Sequence, residues 1–320
     1  MITVFTLQTS LPLALIVWLA LRPPRNRAGF WMLALCAALM TFATARLGIW
    51  LFPPWWVPTL LGFLLVGAIA VCLIRSRQRF WMPAGAFGWL CLILLVGIAG
   101  FAAIQSRTAL RAARMPEGRF LDLSSPLGPG TYLVANGGAA PAVNAHATLL
   151  DLSVARHRPY RATGHGVDLV EINGLGFRAD GILPADPARY EIFGNPVIAP
   201  CAGDVVVAVD GLPDMTVPQT DADHLAGNHV ILRCADAEIL LAHFRPGTLV
   251  VHVGQSVGTG GAIAQVGNSG NTSEPHLHIN AQMPGTAEEP FSGAPIPIRI
   301  NGRYLVRNQR LVVPDPEGRS

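Results

Sequence analysis

Four long apolar runs fill the first 106 residues, and no other feature restricts the possible folds so strongly. Ile2 to Leu21, Ala28 to Phe52, Trp55 to Ile74 and Phe80 to Gln105 each supply the ~20 mostly apolar residues that a helix rising ~1.5 Å per residue needs to cross a bilayer. A buried core can imitate one such run, but not four in series. The breaks fit membrane interfaces as well. Arg22, Pro23, Pro24, Arg25 and Arg27 follow the first run, and Pro53, Pro54, Trp55 and Trp56 separate the second from the third. Four transmembrane α-helices are therefore expected over residues 1–106, with the lipid bilayer as their partner.

Charge divides the chain at the same place. Charged residues make up only 13% of it, about half of the roughly 25% usual in globular chains. No Asp or Glu precedes Glu117, and every basic residue is Arg. The net +3 therefore sums two unlike halves and gives no support for nucleic acid as a partner. Arg22, Arg25 and Arg27 in the first loop, and Arg75, Arg77 and Arg79 in the third, place those loops in the cytoplasm and both termini outside. Arg107, Arg111 and Arg114 point the other way, but large downstream domains translocate largely regardless of such charges. Arg46, near one end of its run, reads as a side chain snorkelling to the interface. The first run carries no cleavage-site pattern and is expected to stay as an anchor.

Residues 107–130 read as a linker, closing on Ser124-Ser125-Pro126-Leu127-Gly128-Pro129-Gly130. From there to residue 320 the pattern is short β-branched runs broken by Gly, Pro and Asn-Gly. Val167–Ile172, Asp204–Asp210, His229–Arg233, Glu238–His243, Leu249–Val253, Ala262–Val266 and His276–Gln282 read as strands. Their spacing predicts a mostly antiparallel β-sheet domain, sandwich-like, rather than βαβ units. Cys36, Cys72 and Cys91 fall in apolar runs. Cys201 and Cys234 have no metal-like spacing and are expected to be buried free thiols rather than a disulfide.

All 9 His lie after residue 145, which in a domain short of other charge points to metal or acid–base chemistry. The sharpest signal is Glu274-Pro275-His276-Leu277-His278-Ile279-Asn280. On a strand His276 and His278 project from one face, side by side, as Zn²⁺ or an activated water would require. Alone, such a pair is more often two surface histidines. Three further features accompany it: the turn-rich Gly267-Asn268-Ser269-Gly270-Asn271-Thr272, Asp168 at the start of an apolar run, and His243 at the end of another.

Gly166-Val167-Asp168, Val197-Ile198-Ala199-Pro200 with Gly203-Asp204-Val205-Val206, Gly227-Asn228-His229-Val230, Leu241-Ala242-His243, Val253-Gly254-Gln255-Ser256-Val257 and Gly267-Asn268-Ser269-Gly270 through His276-Leu277-His278 form an ordered series. Together they resemble the lysostaphin-type (LytM-like) zinc metallopeptidases that cut peptide bonds in peptidoglycan, over roughly Asn144 to Ala281. The resemblance implies Asp168 and His278 as zinc ligands. His276 and His243 would be the two other catalytic histidines, which orient or deprotonate a water and stabilise an oxyanion. It also implies an open site of three protein ligands with a fourth position for that water, whose pKa the metal lowers toward ~7.

The third ligand departs from the family pattern, in which a His usually stands four residues before the Asp; Gly164 is there instead. His165 would point to the opposite strand face from Asp168 unless a bulge intervened. His146 is the stronger candidate, His165 the second and His157 a distant third. His224, His229 and His252 read as bystanders, His229 facing solvent in preference to lining the groove. Asn136-Gly137-Gly138 reads as a turn.

A biotinyl or lipoyl carrier reading of Val253 to Val266 fails because the chain has no acceptor Lys. A channel or transporter reading has only Arg46 as an intramembrane charge. The expected activity is hydrolysis of peptidoglycan stems or cross-bridges by an enzyme multiply anchored in the cytoplasmic (inner) membrane. The β-sheet domain would lie on the periplasmic or extracytoplasmic side, with a regulatory protein as a further candidate partner. The alternative is a non-catalytic wall-binding or regulatory module of the same fold.

Overall fold

A computed structural model describes residues 2–75 and 80–315, apart from the side chains of residues 2–6. Arg77 and Arg79, which enter the charge reading of the third loop, lie outside the described residues, as do the last five residues, 316–320. The chain forms two compact units, Met1–Arg111 and Ala112–Ser320.

The first unit is helical: α1 (Ile2–Leu21), α2 (Arg27–Leu47), α3 (Val57–Arg75) and α4 (Gly85–Ala112). Three of them, α2, α3 and α4, are long and apolar enough to cross a membrane; α1 counts as a shorter apolar helix over Leu7–Leu21. Leu19, Phe30, Leu33, Cys36, Trp50 and Leu61 form the packed interior. Phe63, Ile74 and Phe87 are among the large apolar side chains left on the outside, an arrangement water disfavours and lipid does not. Gln8 is a buried polar residue in α1, and its amide is satisfied by Ile49. Its Nε2 donates to the Ile49 carbonyl at 3.0 Å and its Oε1 accepts from the Ile49 N–H at 2.8 Å. Cys36, Cys72 and Cys91 are free thiols. Arg46 sits in the last turn of α2 with its guanidinium over the Phe42 ring.

The fourth helix departs from expectation. It starts at Gly85 and runs past Gln105 to Ala112, so the first part of the expected 107–130 linker is helical. Ala, Leu and Arg are good helix formers and prolong it beyond the apolar stretch.

Among the described residues the second unit holds thirteen strands: β1 (Leu121–Leu123), β2 (Gly130–Asn136), β3 (Val167–Glu171), β4 (Pro196–Ile198), β5 (Gly203–Val209), β6 (Asn228–Cys234), β7 (Ala237–Phe244), β8 (Ser256–Val257), β9 (Ala262–Gln265), β10 (Leu277–Gln282), β11 (Pro295–Ile296), β12 (Ile298–Ile300) and β13 (Arg310–Val313). Nine form one antiparallel sheet in the order β13-β2-β3-β10-β7-β6-β5-β8, with β11 also paired to β10. Two small sheets, β1–β12 (parallel) and β4–β9, complete the mainly antiparallel domain. Leu249–Val253, expected as a strand, forms none. Val251 enters the core and Leu249 packs against it, but Val250 and Val253 are exposed, and the run stays next to β9 through the Val250 N–H to Ile263 carbonyl bond without building a ladder.

Period-two alternation gives the sheet two different faces. Val167, Leu169, Ile239, Leu241, Leu277, Ile279 and Ala281 enter the main core. Asp168, His278, Asn280 and Gln282 alternate with them and take the other face, where they are still buried. Cover on that face comes partly from the segment between β2 and β3. It contains two 3-10 helical stretches, Ala145–Leu150 and Ala155–His165. Asn144 closes its base, donating Nδ2 to the Gly138 and Gly166 carbonyls at 3.0 Å each.

Cys201 and Cys234 form a disulfide, against the expectation of free thiols. Asp204 pairs with Arg233 across the β5–β6 hairpin. That register brings the two cysteines, 33 residues apart in sequence, to a Cα–Cα distance of 6.2 Å, within bonding reach.

Candidate metal centre

One row of residues crosses four neighbouring strands on the polar face. Asn136 of β2 pairs with Asp168 of β3, Asp168 with His278 of β10, and His278 with Ala242 of β7. Side chains directly opposite on antiparallel strands share a face and lie close together. The sheet register therefore sets a carboxylate and an imidazole opposite each other. Asp168 Oδ1 is 2.8 Å from His278 Nδ1.

Two bulges adjust the neighbours. In β2 the register slips between Val134 and Asn136, leaving Ala135 as the extra residue and putting Asn136 opposite Asp168. In β7 the slip leaves His243 unpaired between Ala242 and Phe244, with φ +69. A left-handed backbone at a non-Gly residue costs about 1–3 kcal/mol. Here the bulge re-aims the side chain toward the row, as bulges beside functional sites do. The centroid of the His243 ring lies 4.7 Å from that of His276 and 6.0 Å from that of His278.

His146 enters from above the sheet. Asn144 caps the first 3-10 stretch by accepting from the His146 N–H. The His146 ring then points down, with Nε2 at 2.9 Å from Asp168 Oδ2 and 3.1 Å from Oδ1. The approach is tight because residue 166 is glycine. A Cβ there would lie 2.5 Å from His278 Cε1 and 3.2 Å from His146 Cδ2.

His146, Asp168 and His278 each offer one ligand atom, and these atoms all lie within 4.8 Å of one another. Two imidazole nitrogens and a carboxylate oxygen form a donor set that suits Zn²⁺. Hydrogen bonds on the far side of the rings favour the same use. His278 Nε2–H donates to Asn280 Oδ1 at 2.9 Å, which leaves Nδ1 to bind. Asn280 Nδ2 in turn donates to the Ala162 carbonyl, fixing the amide. His276 Nδ1–H donates to the Glu274 carbonyl at 2.9 Å, and His243 Nδ1–H to the Ser269 carbonyl at 2.9 Å. Both therefore turn a bare Nε2 toward the centre, and His276 Nε2 is 3.6 Å from Asp168 Oδ1. Such partners fix tautomer and orientation.

Burial and charge act together on the titration of the site. Burial by itself would raise the Asp168 pKa. His146 and His276 beside it, with hydrogen bonds from His146 and His278, hold it well below the usual carboxylate range. Burial pushes the His243 pKa well below the ordinary imidazole range, and the nearby His276 and His278 push it further, against the Ser269 hydrogen bond and Asp168. His243 is thus neutral at pH 7.

Of the candidates from the sequence, the structure brings Asp168, His146, His243, His276 and His278 together. His165 stands at the end of the second 3-10 stretch, half-buried, and its Nδ1 has no hydrogen-bond partner among the described residues. His157 is half-buried and close to the Asp151 carbonyl. His224 is exposed beside Asp221, and His252 is exposed. His229, expected to face solvent, is buried instead. Its Nδ1 donates to the Gly227 carbonyl at 2.7 Å and its ring packs on Phe291. The loop carrying Phe291 folds over β6, a contact that alternation along β6 does not foretell.

Sequence reading missed the supporting residues. Asn136 ends a strand rather than making a turn, and its Nδ2 donates to Asp168 Oδ2 at 2.8 Å. Arg178 makes a buried two-pronged ion pair with Glu274 at 2.7–2.9 Å. That pair holds the segment whose carbonyl orients His276. Only Asn280, two residues past His278 and on its face, was within reach of alternation.

Beside the centre lies a cavity of about 220 Å³, walled by Leu149, Tyr160, Leu225, Leu240 and Phe291 with His146, His243 and His278 at its rim. The site thus combines a metal-competent cluster, two oriented imidazoles and a recess large enough for a peptide side chain.

Residues 189–290 match the model of peptidase family M23. The match includes His243, His276 and His278, while His146 and Asp168 precede it. No curated protein matches the chain. Among solved structures, the chain is similar to a zinc containing peptidase from Vibrio cholerae, with 21% identity over 41% of this chain and 28% of that one, TM-score 0.26. It is similar to the antimicrobial peptidase lysostaphin from Staphylococcus simulans, with 22% identity over 39% of each chain, TM-score 0.26. It is also similar to a putative peptidase M23 from Pseudomonas aeruginosa, with 16% identity over 61% of this chain and 56% of that one, TM-score 0.30. This chain spans less than half the length of the first two.

Proposed function

We propose that this protein is a membrane-anchored zinc metalloendopeptidase that hydrolyses peptide bonds in the stems or cross-bridges of peptidoglycan. The observation that carries the reading is the His146–Asp168–His278 cluster facing His243 and His276, with His243, His276 and His278 inside the region that matches the M23 model.

His146 Nε2, an Asp168 oxygen and His278 Nδ1 would hold the ion. Bound Zn²⁺ supplies a Lewis acid and brings the pKa of a coordinated water to about 7. The protein's own groups do the rest. His243, kept neutral by burial and anchored through Nδ1, presents Nε2 to accept a proton from the attacking water. His276, anchored through Nδ1–H on the Glu274 carbonyl, faces the same space and in its imidazolium form can donate Nε2–H to the carbonyl oxygen as negative charge develops there. The recess beside them seats a substrate side chain and excludes water.

The helical unit serves as anchor, with α1 as a fourth span. The C-terminal domain lies on the periplasmic or extracytoplasmic side. The Cys201–Cys234 disulfide supports that placement, because such bonds persist in oxidising compartments and are rare in the cytosol.

The test is digestion of purified peptidoglycan by the detergent-solubilised full chain, with release of new amino groups as the readout. Zinc-dependent release, abolished by a chelator and restored by Zn²⁺, is the expected result. Metal binding without release from any peptidoglycan would leave the non-catalytic wall-binding module as the better reading.

A further inference from the structure

The C-terminal segment after β12 lies beyond the matched family region, yet it reaches the metal centre through one side chain. Arg307 precedes β13, which pairs with the outer edge of β2. Its guanidinium grips the bulge of β2 at two points and the segment after β2 at a third. Nε donates to the carbonyl of Ala135, the extra residue, at 3.1 Å. Nη1 donates to the Ala142 carbonyl at 3.2 Å, and Nη2 to Asn136 Oδ1 at 2.9 Å. The Ala145 N–H donates to the same Oδ1 at 3.2 Å.

Those contacts decide which way the Asn136 amide faces. With Oδ1 committed to two N–H donors, Nδ2 has to face Asp168, where it donates to Oδ2 at 2.8 Å. A neutral donor on one carboxylate oxygen holds the Asp168 plane and leaves the other oxygen beside His278 Nδ1. The Ala142 contact also steadies the stretch leading to His146. Arg307 thus reaches the carboxylate through Asn136 and, through Ala142, the segment that delivers the third donor.

We propose that Arg307 is a positioning residue for the metal centre, acting through Asn136, so that the C-terminal segment sets the metal affinity of the site. The inference rests on the zinc-site reading above. Lys cannot replace Arg here, because one ammonium cannot span three acceptors set around a planar fork.

The test is the zinc dissociation constant of the solubilised full chain, measured by competition with a chelating dye, for wild type, Arg307→Ala, Arg307→Lys, Asn136→Ala and the double variant Arg307→Ala/Asn136→Ala. Loss of an outer partner of a metal ligand weakens binding roughly 10- to 100-fold. Each single variant is expected to fall in that range, Arg307→Lys included. The double variant should be no weaker than the weaker single, since removing Arg307 already withdraws the support that Asn136 passes to Asp168. Asn136→Ala keeps the Arg307 contacts to Ala135 and Ala142, so it reports even if Arg307→Ala unfolds. Wild-type affinity in a folded Arg307→Ala, or losses that multiply in the double variant, would overturn the proposal alone. A wild type that binds no zinc would overturn both the proposal and the reading beneath it.

Discussion

Asp168 and His278 stand directly opposite each other on β3 and β10, with 2.8 Å between Oδ1 and Nδ1. Their meeting depends on the residue beside them as well as on the strand register. Gly166 leaves open the space a Cβ would take 2.5 Å from the His278 ring. Gly166→Ala should therefore displace His278 or His146 and weaken metal binding at least tenfold, with the β-sheet retained. Circular dichroism together with zinc titration checks this, and unchanged affinity would show that the rings have room to yield.

His243 and His276 face the centre without belonging to the metal-competent cluster. Replacing either with Ala should leave zinc stoichiometry intact and lower the hydrolysis rate about 10²–10⁴-fold, the scale of general acid–base groups. Full turnover in one variant would remove that residue from the reaction.

The Arg178–Glu274 pair is buried, and the Glu274 carbonyl anchors His276. Glu274→Ala strands a buried guanidinium, which costs roughly 3–5 kcal/mol. Replacing both partners, as in Arg178→Met with Glu274→Leu, should restore most of the stability. Denaturant midpoints decide it: a double variant no better than Glu274→Ala would mean the pair is not the source of the loss.

Burial lowers the pKa of His229 and of His165 below the ordinary imidazole value. A lowered folded-state pKa means that the unfolded chain takes up protons first, as pH falls through about 6.5. Stability conferred by the neutral buried ring is therefore full above that pH and lost below it, down to the folded pKa. The slope is at most about 1.4 kcal/mol per pH unit for each group. His229→Leu should flatten the profile of the metal-free protein between pH 6.5 and 5.5, as followed by calorimetric Tm. A profile as steep as wild type would place the pH dependence elsewhere.

The large features of this chain were legible because they rest on local pattern. Apolar runs marked α2, α3 and α4, alternation placed His276 and His278 on one face, and the upstream position of His146 made it a candidate to reach Asp168. What escaped depends on pairing between distant segments. The Cys201–Cys234 bond follows from the β5–β6 register, and the His243 geometry from a bulge that spacing alone does not reveal. Arg307 acts on Asn136 across 171 residues of sequence, and no local motif announces such a contact.

The central claim is that His146, Asp168 and His278 hold one zinc ion. The most direct measurement is zinc content per chain of the solubilised protein in wild type, His278→Ala, His146→Ala and His165→Ala, each supplied with excess zinc and then desalted. The account predicts about one zinc in the wild type, as for a single catalytic site. It predicts the same for His165→Ala and loss in both His146→Ala and His278→Ala. Full zinc content in His146→Ala, or loss confined to His165→Ala, would contradict it.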